Sequence, residues 1–413
     1  MCHVNMDILN SYCRYKYILL SCIFVTLIVI VTLGYVCTDQ LCAFNSWTYS
    51  QTKYNNWNTL NLKHVVDNMG KPVSFLSHPF AADSDSSRSK SKFSFEDMLK
   101  DRGFRFDIKG SDVIVFLHIQ KTGGTAFGRH LVSDLALEKP CSCKHGRKKC
   151  KCARPDSEGR SWLFSRYSTG WKCGLHADWT ELTNCVDSAM DQTEKESSKR
   201  RYFYITLLRD PVARFLSEYR HVQRGATWKT ARHLCGGRTP TNEELPPCFD
   251  GKDWSDVTLQ QFINCKSNLA MNRQTRMLAD LTLVGCYNQS IMPRRQREVM
   301  MLASAKQNLQ RMAFFGLCEF QKLSQYLFEN TFHLKFRQPF QQLNETRSSL
   351  TLNEITEKEL QQIQNLNKLD LELYDFAKKL LMERYVKLKF LKIDFESQPQ
   401  ENQIIDQIFG MED

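Results

Sequence analysis

An uninterrupted apolar run lies close to the amino terminus. No charged residue occurs over residues 17–37, and an α-helix of about 20 apolar residues spans a bilayer. A cleaved signal peptide is the alternative, but its apolar core is usually about 7–15 residues, and no A-x-A-like cleavage site follows this run. Because Arg14 and Lys16 precede the run and Asp39 follows it, the positive-inside rule predicts a cytosolic amino terminus and a luminal remainder.

Beyond residue 95 the pattern alternates between short, continuous apolar runs and apolar positions at helical spacing. The runs lie at residues 112–119, 202–208 and 312–320, and a helical pattern follows each one. Continuous apolar runs are typical of strands that are buried on both faces. Strands that alternate with helices predict an α/β fold with a mainly parallel central sheet and flanking helices.

The sequence pattern predicts that the carboxyl-terminal region is helical. Thr351 and Glu354 have the spacing of a capping box, and apolar residues follow at helical intervals from Ile355 to Leu373. We interpret this stripe as core packing.

A polar stretch separates the apolar anchor from the predicted folded domain. It contains AADSDSSRSKSKFS, which is poor in apolar residues and typical of a flexible linker. The predicted organisation is a cytosolic tail (1–16), a transmembrane signal anchor (17–37), a stem (38–95), a luminal domain (96–395) and a carboxyl-terminal tail (396–413).

Charge and cysteine content refine this picture. The formal net charge is +11, which in a luminal protein favours an acidic partner. The predicted compartment excludes nucleic acid and leaves anionic glycans or lipid surfaces. Twelve of the 16 cysteines lie from Cys42 onward and are expected to pair in an oxidising lumen. The sequons at Asn288 and Asn344 are predicted glycosylation sites there.

A glycine-rich turn, QKTGGT at residues 120–125, follows the first predicted strand and opens a helix. Glycines let the backbone approach an anion, and a helix amino terminus points N–H donors at it. The turn therefore predicts a site for phosphate or sulfate. It is not a Walker A loop, because the lysine precedes both glycines. That order argues against the alternative of an ATP- and Mg²⁺-dependent kinase or NTPase.

The second strand–helix unit places Arg209 at a strand end, with Ser217 in the following helix. Parallel sheets bind ligands at the carboxyl ends of their strands, and an arginine can hold a phosphate through two hydrogen bonds. The alternative is a structural pair between Arg209 and Asp210, with Ser217 merely exposed.

The two units resemble the paired nucleotide-binding elements of sulfotransferases. Longer stretches, among them LHIQKTGGTAFGRHLV, YITLLRDPVARFLSEYRHVQRGATWKT and NRQTRMLADLTLVGCYN, resemble the heparan-sulfate 6-O-sulfotransferases over roughly residues 95 to 385. The resemblance implies a P-loop-like sulfotransferase fold and a Golgi type II membrane protein. It also implies 3′-phosphoadenosine 5′-phosphosulfate (PAPS) as sulfuryl donor, no metal, and heparan sulfate or heparin chains as acceptor.

Carried over residue by residue, the resemblance implies three donor-binding segments. The first would line the 5′-phosphosulfate and comprises His118, Ile119, Gln120, Lys121, Thr122, Gly123, Gly124, Thr125 and Ala126. Arg209 and Ser217 would bind the 3′-phosphate. A late loop comprises Gln341, Gln342, Leu343, Arg347 and Ser348, where Leu343 departs from the family's aromatic residue. Lys121 would also stabilise charge on the oxygen that bridges sulfur and phosphorus.

The resemblance assigns His176, in CGLHADW, as the base. A sugar hydroxyl must lose its proton as it attacks sulfur, and the pKa of histidine lies near neutrality. His221 and His233 are competitors, and His221 matches a substrate contact. The acceptor site would comprise Lys148, Lys149, Arg166, Trp171, His221 and Trp228. Lysine and arginine pair with sulfates and carboxylates. The alternative is a solvated basic surface with two core tryptophans.

The cluster CSCKHGRKKCKC at residues 141–152 could suggest zinc, but the spacing is not C-x-x-C and the lumen favours disulfides. If these cysteines form disulfides with one another, Arg147, Lys148 and Lys149 lie on a loop that the disulfides cross-link. Eleven cysteines lie from Cys141 onward, so one is left over or pairs with Cys42. We predict Cys318 as the free thiol, since free cysteine often behaves as a small buried hydrophobe.

The function predicted is in-line sulfuryl transfer from PAPS to the glucosamine 6-hydroxyl of heparan sulfate. Two alternatives stay open besides the NTPase. One is a sulfotransferase that acts on another glycan position, and the other is a non-catalytic heparin-binding membrane protein. The latter accounts for the charge and the anchor but not for two anion-binding strand–helix units.

Overall fold

The computed structural model describes residues 92–101, 103–340 and 354–393. The predicted anchor, nearly all of the predicted stem and the carboxyl-terminal tail lie outside these ranges. So do Thr351, the sequon at Asn344, and the late-loop residues Gln341, Gln342, Leu343, Arg347 and Ser348. Within the described ranges, none of the helices is long and apolar enough to cross a membrane.

Strands and helices alternate along most of the described chain. The first half comprises α1 (Phe95–Lys100), β1 (Asp112–Leu117), α2 (Gly124–Ser133), β2 (Ser142–Cys143), β3 (Cys150–Lys151), β4 (Ala153–Arg154), β5 (Ser157–Ser161), β6 (Leu163–Phe164), α3 (Trp179–Glu194), β7 (Arg201–Leu208) and α4 (Pro211–Gln223). The second half comprises α5 (Leu259–Asn264), α6 (Arg273–Leu278), a 3₁₀ turn (Leu281–Val284), α7 (Arg294–Arg311), β8 (Phe314–Leu317), α8 (Gln321–Phe332), α9 (Glu357–Leu366) and α10 (Lys368–Ile393).

Four parallel strands form the central sheet in the order β6-β1-β7-β8. The longest ladder joins β1 to β7 and begins where Asp112 pairs with Arg201. Every residue of β1 is buried, as expected of a parallel strand covered by helices on both faces. The prediction of an α/β fold with a parallel sheet is confirmed.

Three strand–helix units direct their connecting loops to one edge of this sheet. Strand β1 leads into α2, β7 into α4, and β8 into α8. Because the three strands are parallel, their carboxyl ends lie side by side. The segments 118–123, 209–210 and 318–320 therefore meet at the same edge.

Two hydrophobic clusters support that edge. The larger one encloses the sheet, where the Phe203 ring lies 5.6 Å from Phe106 and 6.1 Å from Phe332. The smaller one packs α4 against α5, with the rings of Phe215 and Phe262 5.2 Å apart. Helix α4, which follows Arg209, is thus held in place by this second core.

The carboxyl-terminal stripe divides into two helices. Thr356 caps α9 and forms a capping box with Glu359, whereas the predicted box at Thr351 lies outside the described residues. Helix α9 ends at Leu366 with Asn367 as its carboxyl-terminal cap, and α10 begins at Lys368. Ile363 and Leu373 are buried, which confirms that the stripe is core packing. The prediction that this region is helical is confirmed, and the structure adds a break at Asn367 between the two helices.

Ten of the described cysteines form disulfides. The pairs are Cys141–Cys152, Cys143–Cys150, Cys173–Cys185, Cys235–Cys286 and Cys248–Cys265. Cys318 is free, as predicted. It follows β8 rather than lying inside the strand, and burial raises the pKa of its thiol to about 11. Because the four cysteines of residues 141–152 are all in disulfides, the zinc interpretation of this segment is wrong.

Candidate active site

The glycine loop turns directly from β1 into α2. Gly123 is the residue before the helix, with φ of 77° in the left-handed region that favours glycine, and no side chain caps the helix there. A Cβ on Gly124 would lie 2.7 Å from Nε2 of His118, which is too close for any larger residue. The helix amino terminus is therefore open to an anion, and the His118 ring folds over it.

Two buried polar atoms of this loop lack a hydrogen-bond partner in the part of the chain that the structure describes. Nδ1 of His118 and Oε1 of Gln120 are buried and have no hydrogen-bond partner among the described residues. Buried polar atoms are ordinarily paired, and the described residues supply no partner for these two. The ring nitrogen can donate to an anion when it carries the hydrogen, whereas the amide oxygen requires a donor. An anionic group therefore fits the open helix end and the His118 ring nitrogen.

Lys121 lies inside this loop in a backbone conformation that is rare for a lysine. Its φ is 67°, and such positions recur at functional sites, where the surrounding structure holds them. Burial lowers the pKa of Lys121, while the carboxylate of Glu218 opposes that shift. The ammonium is thus partly shielded from water, and Lys121 lies in the loop that follows the first of the three strand ends.

Arg209 joins the second unit to the first. Its Nη1 donates a hydrogen bond to the carbonyl oxygen of Lys121 at 3.3 Å. Gln274 fixes its backbone, accepting from the Arg209 N–H and donating to the Arg209 carbonyl, both at 2.9 Å. Asp210 instead caps α4 by accepting from the N–H of Ala213 at 2.8 Å. Ser217 lies half-buried two turns along the same helix.

His176 is held against the start of the glycine loop. Its Nδ1 lies 2.8 Å from the carbonyl oxygen of His118. A carbonyl can only accept, so Nδ1 carries the hydrogen and Nε2 holds the lone pair of the neutral ring. Burial lowers the pKa of His176 to about 4, well below the near-neutral value expected. Its φ of 50° is, like that of Lys121, in the left-handed region.

Aromatic rings surround His176. Its ring centroid lies 4.6 Å from that of Trp171, 5.1 Å from Trp228 and 4.7 Å from His118. Trp228 also contacts His221, with centroids 5.5 Å apart. Both tryptophans are only half-buried, so the alternative that they are core residues is wrong. They form two walls around the predicted base.

The basic residues predicted to bind the acceptor differ in their distance from the Trp171 and His176 rings. The Arg166 guanidinium lies 5.5 Å from the Trp171 ring centroid. Lys149 passes over Gly170, where its Cδ lies 3.1 Å from the place that a Cβ would take. Lys148 is exposed, and no described contact ties it to His176.

His233 lies in a different environment from His176, beside Tyr287. Its Nδ1 lies 3.3 Å from the hydroxyl of Tyr287, and burial lowers its pKa to about 3. Its described ring contact is with Tyr287 and not with either tryptophan wall. Among the competing histidines, the structure thus groups His221, but not His233, with His176.

The structure adds a residue that the sequence analysis missed, Glu218 on α4. Its carboxylate accepts from Nε of Arg273 at 2.8 Å, from Nη1 of Arg214 at 2.5 Å, and from the indole N–H of Trp228 at 3.0 Å. All three charged side chains are almost completely buried. Glu218 therefore anchors one of the tryptophan walls. The available sequence signal was the i,i+4 spacing of Arg214 and Glu218 on a face with apolar neighbours.

The sequon at Asn288 lies in a turn. The Asn288 Oδ1 accepts from the Ser290 N–H at 3.0 Å and from its hydroxyl at 2.6 Å. Glycosylation of Asn288 stays a prediction.

A parallel sheet that brings an open glycine loop and a strand-end arginine to one edge is the arrangement in which such sheets bind anionic, phosphorylated ligands. A model of the sulfotransferase family matches residues 104–377, more than half of the chain. This places the chain in the sulfotransferase class.

Comparison with curated proteins gives the particular group. Over 286 residues the chain is 62% identical to heparan-sulfate 6-O-sulfotransferase 1-B of Danio rerio, covering 69% of this chain and 70% of that protein. Over 287 residues it is 61% identical to heparan-sulfate 6-O-sulfotransferase 1 of Homo sapiens, covering 69% of each. Over 295 residues it is 60% identical to heparan-sulfate 6-O-sulfotransferase 2 of Gallus gallus, covering 71% of this chain and 72% of that protein. The chain belongs to the heparan-sulfate 6-O-sulfotransferase family, as its motifs predicted.

Proposed function

We propose that this protein transfers a sulfuryl group from PAPS to the 6-hydroxyl of glucosamine residues in heparan sulfate. One observation carries the proposal: His118 belongs to both halves of the site. Its side chain folds over the open glycine loop, and its backbone carbonyl holds Nδ1 of His176 at 2.8 Å. An anion site and a candidate base are therefore joined through one residue. The names of the relatives support heparan sulfate as the acceptor and carbon 6 as the position.

His176 is the proposed general base on the acceptor side. With its hydrogen on Nδ1, Nε2 is free to take the proton of the attacking hydroxyl. Trp171 and Trp228 flank the ring and offer flat faces to a sugar. His221, Arg166, Lys148 and Lys149 are the proposed polar contacts for the anionic chain, because cations of this kind pair with sulfates and carboxylates.

Lys121, the N–H groups at the start of α2, and Arg209 act on the donor side. PAPS, when bound, supplies an electrophilic sulfur and a phosphate leaving group. Lys121 and the N–H groups would stabilise the negative charge that develops as the sulfur–oxygen bond breaks, a contribution that is often the largest in catalysis. Arg209 and Ser217 would hold the 3′-phosphate, and the loop 341–348 would complete the donor site.

The proposed location is the Golgi membrane, with the catalytic domain in the lumen. Five disulfides support an oxidising compartment. The apolar run over residues 17–37 supports a single signal anchor, and the basic residues before it support a type II orientation.

The test is sulfate transfer from radiolabelled PAPS to de-6-O-sulfated heparin, with disaccharide analysis of the product. Label at carbon 6 of glucosamine is expected. Label at another position would overturn the regiochemistry but keep the reaction. Failure of the protein to bind 3′-phosphoadenosine 5′-phosphate, the donor product, would overturn the enzyme.

The base is tested by His176→Ala, with His233→Ala as the matched histidine control. His176→Ala should lower kcat at least about a hundredfold, the usual range for losing a general base. Binding of the donor product should stay near wild type. His233→Ala should retain kcat, and a comparable loss of kcat in both variants would contradict the assignment.

A further inference from the structure

A short, strongly basic hairpin projects beside the acceptor side of the site. The cationic hairpin, residues 141–152, holds five lysines and arginines and no acidic residue. Its strands β2 and β3 are antiparallel, and two disulfides, Cys141–Cys152 and Cys143–Cys150, cross-link them. A turn at Gly146, with φ of 75°, closes the tip. The positive charges are thus held on a stiff frame.

The cations at the tip face solvent without acidic neighbours. Lys144, Arg147 and Lys148 are exposed and form no ion pair with any residue that the structure describes. Lys151, nearer the base, pairs with Glu158 at 3.5 Å. Like charges that are crowded together repel one another. A cross-linked frame that keeps them together is therefore suited to an anionic partner.

The base of the cationic hairpin is tied to the wall of the acceptor site. The N–H of Cys150 donates to the carbonyl oxygen of Tyr167 at 2.7 Å. The Arg166 guanidinium lies over the rings of both Tyr167 and Trp171, and Trp171 contacts His176. The basic residues of the cationic hairpin therefore extend from its base, which contacts the Trp171 side of the acceptor site, to its tip.

We propose that Lys144 and Arg147 form a distal subsite for a sulfate or carboxylate group of the acceptor chain, outside the sugar unit that reacts. This inference rests on the proposed function. The N–H of Arg147 donates to the carbonyl oxygen of Lys144 at 3.1 Å across the turn, which brings the two cations together at the tip. Lys148 and Lys149 lie between Arg147 and Cys150, the residue tied to the acceptor wall, so the tip is separated from that wall along the chain. The cross-links reduce the conformational entropy lost on binding, which favours such a preorganised contact.

The subsite is tested by the double variant Lys144→Ala/Arg147→Ala in the full-length protein. The matched control is Arg105→Ala/Lys199→Ala, which removes the same two residue types from exposed positions that precede β1 and β7, at the opposite edge of the sheet. Initial rates are measured with long de-6-O-sulfated heparin chains and with a tetrasaccharide prepared from them. Dissociation constants for both acceptors are measured in parallel.

The tip variant should raise KM and Kd for long chains about threefold to tenfold, the range for two exposed charge contacts. Its kcat and its constants for the tetrasaccharide should match wild type. The slope of log Kd against log salt for long chains should also become shallower. The control variant should match wild type throughout.

Three results would overturn the distal subsite. Equal losses for both acceptors would place the two cations at the reacting unit. No loss for either acceptor, or the same loss in the control, would show that the tip is an ordinary solvated surface. If wild type transferred no sulfate at all, the proposed function would fail, but the length dependence of Kd would still decide whether the tip binds a polyanionic chain.

Discussion

Replacing Glu218 with glutamine removes a negative charge that two buried arginines share. Arg214 and Arg273 each retain at most 3% of side-chain exposure, and Glu218 retains 1%. Burial by itself raises the pKa of the Glu218 carboxyl, but the two arginines outweigh it and lower the pKa to about 2. The glutamine variant keeps the size of the side chain and leaves both guanidinium groups without an ionic partner.

The pKa gives the size of the expected loss. A shift from the ordinary 4.5 to about 2 corresponds to roughly 3 kcal/mol, and breaking a buried ion pair generally costs about 3–5 kcal/mol. Because the folded pKa is depressed, this stability is fully present above about pH 4.5 and is lost as the pH falls toward 2. At pH 7, Glu218→Gln should therefore lower the free energy of unfolding by about 3 kcal/mol.

Urea unfolding at pH 7, followed by tryptophan fluorescence, measures this loss. Glu244→Gln is the matched control, because Glu244 also pairs with an arginine, Arg238, but at the surface. The control should unfold at the wild-type urea concentration. An unfolding midpoint for Glu218→Gln that equals wild type would show that Arg214 and Arg273 do not depend on this carboxylate, and the reasoning would fail.

Further predictions concern individual parts of the site. Trp228→Phe keeps an aromatic ring but loses the N–H that donates to Glu218, so KM for the acceptor should rise while Kd for the donor product stays unchanged in titration calorimetry. Gly124→Ala should weaken donor-product binding more than tenfold, since the methyl group meets His118, whereas Gly159→Ala, with no atom within 4 Å, should bind normally in the same titration. Since protonation disables a base and the pKa of His176 is about 4, kcat/KM should stay flat from pH 7 to about 5 and fall below it; a fall centred near pH 6.5 would contradict this.

The parts of the fold that the sequence predicted are those with a local signal. Strands β1, β7 and β8 each carry a continuous apolar run followed by a helical pattern, so their existence and parallel direction could be read directly. Strand β6 has only two residues, Leu163 and Phe164, which is too short for any period to appear. The break between α9 and α10 could not be predicted from the sequence either. It depends on Asn367, whose side-chain oxygen accepts from the N–H of Asn272 at 3.1 Å, a tertiary contact between residues far apart in the chain.

The candidate site shows the same division between local and distant signals. The glycine loop and Arg209 could be predicted because each stands at the end of an apolar run, where a parallel sheet binds ligands. His176 and the two tryptophans were identified through the family resemblance alone. No period or spacing connects His176 with the carbonyl of His118, because that contact forms between segments 58 residues apart.

Glu218 illustrates why a buried charge network is hard to read from a sequence. An arginine and a glutamate four residues apart are the usual pattern of an exposed helix pair. Here Phe215 and Tyr219, on the same turns, turn that face inward, and Arg273 arrives from 55 residues away. Once buried, the carboxylate opposes the loss of charge on Lys121 and holds the indole of Trp228. A single side chain on the helix after Arg209 therefore supports both the donor side and the acceptor side, so its removal should impair both rather than either one alone.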